Sequence, residues 1–238
     1  YQVSILRSKR GRLIVRRSDL RIQAGVALNL LRVALGGLSQ ALVPNISWIG
    51  LIRMLAVYGS DALAGYVIAM RIVVFALLPA FGLSTAAATL VGQNLGAGQP
   101  ERAERSVWIT GLCNMVFLGS VTILFLFLPE SLVAIFTDDP KVVPTAVNCL
   151  RIVSYGYVFY AWEMVVIQAF NGAGDTFTPT MINIFCFWLF QLPLAFILGQ
   201  TLEIGPSGVF WAIAVSYSLS AVVGMVLFRR GHWKTRQI

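Results

Sequence analysis

The sequence predicts an all-α integral membrane protein, a bundle of six transmembrane helices. Three observations carry that expectation. Of 238 residues, 58% are hydrophobic and only 12% charged, about half the charged fraction of a soluble domain. The apolar residues gather into six runs, each near the roughly 20 residues that cross a bilayer. The net charge of +8 sits mostly outside those runs.

The first segment is basic: Arg7, Lys9, Arg10, Arg12, Arg16, Arg17, Arg21 and Arg32 lie ahead of the apolar body. Residues 1–32 are therefore expected to be a cytoplasmic linker and helix lead-in, with Ser18 or Asp19 as a cap. No signal peptide is expected, since no short apolar stretch with a small-residue cleavage site follows. The chain opens on Tyr1 rather than Met, as a piece of something longer would. The bundle itself is expected over 33–228. Its runs are 33–58, 63–92, 106–128, 142–170, 178–199 and 207–228, and runs of that length in lipid must be helical to pair their own backbone groups. Between them lie YGSDALA, GQNLGAGQPERAER, PESLVAIFTDDPK, NGAGDTFTP and GQTLEIGPS. Most pair a glycine that ends one helix with a Ser, Thr, Asp or Pro that begins the next. In TDDPK, Asp138 or Asp139 is the expected cap, with Pro140 in the first turn. Residues 229–238, with Arg229, Arg230, Lys234 and Arg236, form a basic cytoplasmic tail in which His232 is solvated.

Six spans put both ends on one side, and both ends are basic, so both are expected in the cytoplasm. The connection holding Arg102 and Arg105 falls on that side as well. The opposite connections carry Asp61, Glu130, Asp138, Asp139 and Glu203 against a single Lys141. This placement of charge speaks against nucleic acid as a partner and for a lipid bilayer. Cys113, Cys149 and Cys186 are scattered through apolar runs without metal or disulfide spacing, and are expected to be buried. No HExxH, GxSxG or P-loop is present, and the single His lies in the tail, so an enzyme is not expected. No cofactor or metal is expected either.

Residues that are costly in lipid mark the candidate site. Pro44 and Asn45 interrupt the first run, Pro79 the second, and Gln191-Leu192-Pro193 the fifth. A proline inside a helix frees a carbonyl and can kink the span, so Pro44, Pro79 and Pro193 are candidate hinges. Glu163 lies about 10 Å inside the fourth run at 1.5 Å per residue. A carboxylate at that depth must be paired, protonated, or open to a watery cavity, which reads as a proton or cation coupling site; the alternative is a structural hydrogen bond to a neighbouring helix. Tyr160, three residues away, shares its face, and an aromatic ring beside a carboxylate suits an organic cation. Tyr155, Tyr157 and Trp162 lie nearby, Gln168 nearer the cytoplasmic end. Asn45, Asn114, Asn148 and Asn183 are span amides that serve either as interhelical glue or, for Asn45 and Asn183, as cavity groups. Arg53, Arg71 and Arg151 are expected to snorkel outward.

Two stretches go beyond general membrane character: AAATLVGQNLGAGQPERAERSV at 86–107 and QAFNGAGDTFTPTMIN at 168–183. With the six runs and the closing FRRGHWK they closely resemble the multidrug and toxic compound extrusion (MATE) family. More narrowly, the chain resembles the second of that family's two six-helix bundles, and 1–22 resembles the linker between them. The resemblance implies one half of a twelve-helix antiporter that exports organic, often cationic, compounds in exchange for protons or sodium by alternating access. It implies the other bundle as partner, Gly96, Gly98, Gly172, Gly174 and Asp175 as cytoplasmic loop motifs, and a multi-pass plasma-membrane location, the inner membrane of a bacterium. Sodium-coupled members of one branch carry acids in the first and fourth helices of this bundle, positions that fall near Pro44, Asn45 and Tyr160 here. Glu163, one turn along, would have to replace them, and one carboxylate suits a proton better than a sodium cage. Alternatives are a lipid-linked saccharide flippase of the same superfamily, which would want a basic cavity, and a non-transporting membrane scaffold.

Overall fold

The computed structural model describes residues 24–235. The basic stretch 1–23, with the expected caps at Ser18 and Asp19, lies outside the described residues, as does Arg236. Every regular element among the described residues is helical. In chain order these are α1 (Ala24–Ala56), α2 (Ser60–Gly96), α3 (Pro100–Phe127), short α4 (Pro129–Ala134), α5 (Val143–Ser154), α6 (Tyr157–Gly172), α7 (Phe177–Thr201) and α8 (Pro206–Arg229), closed by a 3₁₀ turn at His232–Thr235. α1 begins at Ala24, within the stretch 1–32 expected as linker and helix lead-in. Contacts divide the chain after Leu38, so residues 24–38 are the opening turns of α1 and residues 39–235 form the unit described below.

The helices match the apolar runs closely. Among the described residues α2, α3, α7 and α8 are each long and apolar enough to cross a membrane, and α5 with α6 form a fifth span bent by 59°. α1 has the length, 33 residues, and carries Ser39, Gln40, Pro44, Asn45, Ser47 and Arg53 among its apolar residues. Large apolar side chains such as Leu112, Val116, Phe127, Leu189 and Val222 are exposed, the surface expected where the solvent is hydrocarbon. Inside, small residues let the helices approach, as membrane packing requires: Ala69, Ala80, Ala87, Ala146, Ala161 and Ala212 are fully buried. Aromatic rings fill the remaining gaps, with Tyr66 stacked on Phe210 at 6.1 Å and Phe125 edge-on to Tyr157 at 5.9 Å.

Of the three candidate hinges, only Pro193 lies beside an irregularity of its helix. α1 and α2 run through Pro44 and Pro79 without a break. The sharp bend lies at Tyr155-Gly156, between α5 and α6, where the sequence has no proline. There a Cβ on Gly156 would come within 3.0 Å of the Ala214 carbonyl oxygen, so a glycine lets the bent span press on the backbone of α8. In α7 the chain widens to π-helix over Ile184–Gln191, just before Pro193, and again over Ile197–Thr201. Such widening is a usual way for a helix to accommodate a residue that cannot donate.

The turns follow the punctuation read from the sequence. Asp139 takes the Lys141 backbone N–H on its side chain at 2.9 Å and the Val142 and Val143 N–H groups on its carbonyl, at 3.0 Å each. Pro140 therefore sits in a turn ahead of α5 instead of in its first turn. Cys149 and Cys186 are buried as expected, whereas Cys113 is exposed on the outer face of α3. The tail is docked: Trp233 is buried, stacks on Phe228 at 4.8 Å and donates its indole N–H to the Phe228 carbonyl at 3.0 Å. Lys234 pairs with Glu104, while His232 is exposed.

Candidate functional site

A cavity of about 220 Å³ opens between α1, α2, α6, α7 and α8. α6 contributes the face carrying Tyr160, Glu163, Met164 and Ile167, whose three- and four-residue spacing is one stripe of a helix. Of the sequence-derived candidates, Glu163, Tyr160, Gln168, Asn183 and Pro44 line this one space. Asn45 does not: it is exposed, and its amide donates to the Ala41 carbonyl of its own helix at 2.8 Å. An amide one residue past Pro44 points about 100° around the helix from it, which is why the two do not share a face. Pro79 and Pro193 are likewise absent from the lining.

Glu163 is 5% exposed. Its carboxylate accepts a hydrogen bond from the Ser220 hydroxyl of α8 at 3.1 Å. No salt bridge reaches it among the described residues, and it is the one charged side chain among the described residues of the lining. Beside it Tyr160 packs on Tyr217 with ring centroids 4.3 Å apart, and Phe187 meets Tyr217 edge-on at 5.8 Å. The wall is thus an acid flanked by aromatic faces, which present negative potential to anything that enters.

Polar groups complete the cavity. Gln191 of α7 is 3% exposed and accepts from Ser47 of α1 at 2.9 Å, and the same hydroxyl lies 3.0 Å from the Phe187 carbonyl within the π-helical stretch. Asn183 donates to the Gln40 carbonyl at 3.2 Å. Gln168 accepts from Asn171 at 3.1 Å, and the Asn171 side-chain oxygen is buried with no partner of its own among the described residues. A desolvated acceptor of that kind is costly unless something fills the space in front of it. No group of three His, Cys, Asp or Glu side chains that could hold a metal ion occurs among the described residues.

Sequence reasoning missed Gln191 as a cavity group, reading it only as part of a kink, and missed Tyr217, Ser220 and Ser47. The signal for two of them was present: Tyr217 and Ser220 are polar, three apart in an apolar run, and so on one face. The other aromatics of the fourth span go elsewhere. Tyr155 stacks on Trp211 outside, and Tyr157 is buried against Phe125. Trp162 lies across α6 against Trp108. Asn114 and Asn148 bridge helices, to the Ala161 carbonyl at 2.8 Å and to Ser207 at 2.7 Å. Arg53 and Arg71 are exposed, and Arg151 pairs with Glu130 at 2.7 Å on the surface.

The two glycine loops sit at the end of α2 and the end of α6. Gly98 and Gly174 adopt φ of +69° and +74°, the left-handed turn that closes a helix. Gln99 N–H returns to the Asn94 carbonyl at 2.8 Å and Asp175 N–H to that of Phe170 at 2.9 Å. Asp175 is buried and accepts from both the backbone and the hydroxyl of Thr178, at 3.1 and 2.6 Å, starting α7. Gly172 has a packing duty: a Cβ there would lie 2.3 Å from the Ala88 carbonyl oxygen of α2. Gly96 meets nothing within 4 Å.

The MatE family model matches residues 37–197, a stretch that includes α2 through α6 and both glycine loops. The chain belongs to the MatE family. Among curated relatives of this MatE chain, "Probable multidrug resistance protein NorM" of Thermotoga maritima is 29% identical over 189 residues, covering 78% of this chain and 40% of that protein. The NorM protein of Pseudomonas aeruginosa is 30% identical over 193 residues, covering 77% and 38%. "Probable multidrug resistance protein YoeA" of Bacillus subtilis is 24% identical and covers 93% and 48%. The MatE chain therefore spans less than half the length of these relatives. A crystal structure of MATE in the bent conformation superposes with a TM-score of 0.86 at 19% identity, over 96% of this chain and 50% of that one. An inward-facing MATE family transporter gives 0.79, over 99% and 55%. The fold of this MatE chain is thus that of one half of the solved MATE structures.

Proposed function

We propose that the chain is one six-helix half of an ion-coupled antiporter that exports organic cations, with Glu163 as the group that exchanges ion for substrate. The observation that carries this reading is a lone buried carboxylate, without a basic partner among the described residues, in a cavity walled by Tyr160, Tyr217 and Phe187. A carboxylate so placed binds a proton or a metal cation when the substrate is away, and compensates a cationic substrate when it is present. Competition for one group couples the two fluxes. A proton is the favoured ion, because Glu163 is the one carboxylate among the described residues of the lining, and one carboxylate suits a proton better than a sodium cage. The half-length match to the relatives supports a second bundle as the partner that closes the other wall. The basic connections at 102–105 and 229–234 support cytoplasmic ends in a plasma membrane. A lipid-linked saccharide flippase fits less well, since the cavity charge repels a pyrophosphate. The reading also makes the chain no enzyme, with no cofactor.

The test is transport by the full-length protein in proteoliposomes loaded with a fluorescent organic cation. Efflux should follow an imposed pH gradient and lose that dependence in Glu163→Gln, with the protein still folded by size-exclusion chromatography. Efflux indifferent to both proton and sodium gradients would end the antiport reading, and an unchanged gradient response in Glu163→Gln would remove this residue from it.

A further inference from the structure

Along a neighbouring flank of α6, which carries Val158, Phe159 and Trp162, lies a second, larger hollow of about 640 Å³, walled by α3, α6 and α8. Along α3 its lining steps through Trp108, Ile109, Leu112 and Met115, and along α8 through Val226, Met225 and Val222. The seven steps from Trp108 to Met115 span about 10 Å of helix, so the hollow is a groove running along the helix axes. Its lining side chains are all apolar, the indole nitrogens of Trp108 and Trp162 and the thioethers of Met115 and Met225 being their only heteroatoms. The cation-exchange cavity uses none of these side chains.

At the Trp108 end the groove changes character. Ile109 is shared with a neighbouring hollow of about 630 Å³ lined by Gln93, Asn94, Arg102, Arg105 and Ser106, together with Glu101. Arg229 lies over the Trp108 ring at 5.5 Å. The other nearby acid, Glu104, is held by Lys234 and Trp108. Arg102 and Arg105 thus share this hollow with one acid, Glu101, Arg229 stands over Trp108 at the adjoining end of the apolar groove, and none of the three arginines has a salt bridge among the described residues.

We propose that this composite is a binding site for one anionic phospholipid: an acyl chain in the groove between α3, α6 and α8, and the headgroup phosphate among Arg102, Arg105 and Arg229. The polarity gradient carries the assignment. Apolar lining runs parallel to the helices, as a chain lies in its leaflet, and it meets cations and amide donors at the end of the bundle that carries the glycine loops and the basic tail. A bare apolar interface with a second copy of the chain would not need the basic mouth, and a soluble anion would not need the groove. Bound there, the lipid would bridge α3 to α8 beside the docked tail.

Native reporters stand in the groove, since Trp108 and Trp162 both line it. The experiment uses the full-length protein in detergent, titrated with brominated phosphatidylglycerol or brominated phosphatidylcholine, read as tryptophan quenching. Phosphatidylglycerol should quench at a lower mole fraction, by about fivefold for each arginine that contacts it. Arg105→Ala with Arg229→Ala should bring its curve onto that of phosphatidylcholine; both arginines are exposed, so folding is not at stake. The Trp108→Phe, Trp162→Phe pair should lose the saturable component, and Val222→Trp should block it. Equal quenching by the two lipids, or a preference surviving the double arginine change, would overturn the proposal. So would full competition by soluble glycerol phosphate, or a dimer that Val222→Trp turns to monomer without touching the quenching.

Discussion

Replacing Gly172 by Ala should destabilise the protein far more than the same change at Gly174 or Gly96, although all three lie in the two glycine loops. At Gly172 the added methyl would sit 2.3 Å from the Ala88 carbonyl oxygen and 2.8 Å from its Cα. Those are backbone atoms of α2, which cannot swing aside as a side chain can. Either α6 and α2 move apart or the loop reorganises, and overpacking of this kind costs about 3 kcal/mol. At Gly174 the space is open and the cost comes from φ, +74°, about 1 kcal/mol for an alanine in the left-handed region. At Gly96 neither penalty applies, and alanine at a helical position should stabilise by about 0.5 kcal/mol. Thermal unfolding of the purified full-length protein in one detergent, followed by fluorescence or by loss of the monodisperse peak, orders the three variants. Each kcal/mol corresponds to roughly 2–4 °C for a chain of this size, so Gly172→Ala should fall by about 10 °C, Gly174→Ala by about 3 °C, and Gly96→Ala should not fall. A drop at Gly96 equal to that at Gly172 would refute the packing argument and point to a shared binding role for the loop glycines.

Other expectations follow from single contacts. Glu163→Gln keeps the fold and removes the pH-gradient response of cation efflux, as set out above. Ser220→Ala withdraws the hydroxyl that donates to Glu163, and should weaken cation binding, measured by tryptophan or dye fluorescence, by up to tenfold if the bond is worth about 1.5 kcal/mol; no change would mean that the hydroxyl does not orient the acid. Trp233→Ala removes a buried ring stacked on Phe228 and should cost about 3 kcal/mol, whereas Lys234→Ala breaks a partly exposed pair worth at most about 1 kcal/mol. Equal melting shifts for those two would show that the tail is held by charge and not by the indole.

The membrane fold was legible because lipid imposes one rule on every span: apolar length, with charge outside. Spans two to six could be drawn from that rule, and the loop residues Gly98, Asp139, Gly174 and Asp175 could be read because turn chemistry is local. The site was half legible. Glu163 is conspicuous wherever it points, and Tyr160 follows from helical spacing. Tyr217 and Ser220 left a readable stripe on α8, but which helix that stripe meets depends on long-range packing; Gln191 was hidden because the π-helical stretches of α7 shift its angular register away from 100° per residue. Asn45 was misplaced for a related reason: its neighbour Pro44 lines the cavity, and one residue along a helix is another face.

The bend at Gly156 shows why the position of the acid could not be derived from proline positions. Pro44 and Pro79 each forfeit a backbone donor, yet the helices that contain them stay unbroken, since bonds on either side hold the rod. At Gly156 the forces add differently. A missing Cβ permits contact with the Ala214 backbone, Tyr157 is locked against Phe125 immediately below, and Ser154 turns its hydroxyl back to the Arg151 carbonyl at 2.7 Å. The span is pinned on both sides of a residue that resists bending least, so it bends there, by 59°. Glu163 lies seven residues past that point, and so the direction of α6 decides where the acid goes. A residue larger than glycine at 156 would push α6 from α8 and separate Glu163 from Ser220. Loss of cation binding in Gly156→Val, with Ser220→Ala adding nothing further, is the outcome this chain of contacts requires; additive losses from the two changes would mean that the bend and the acid are independent.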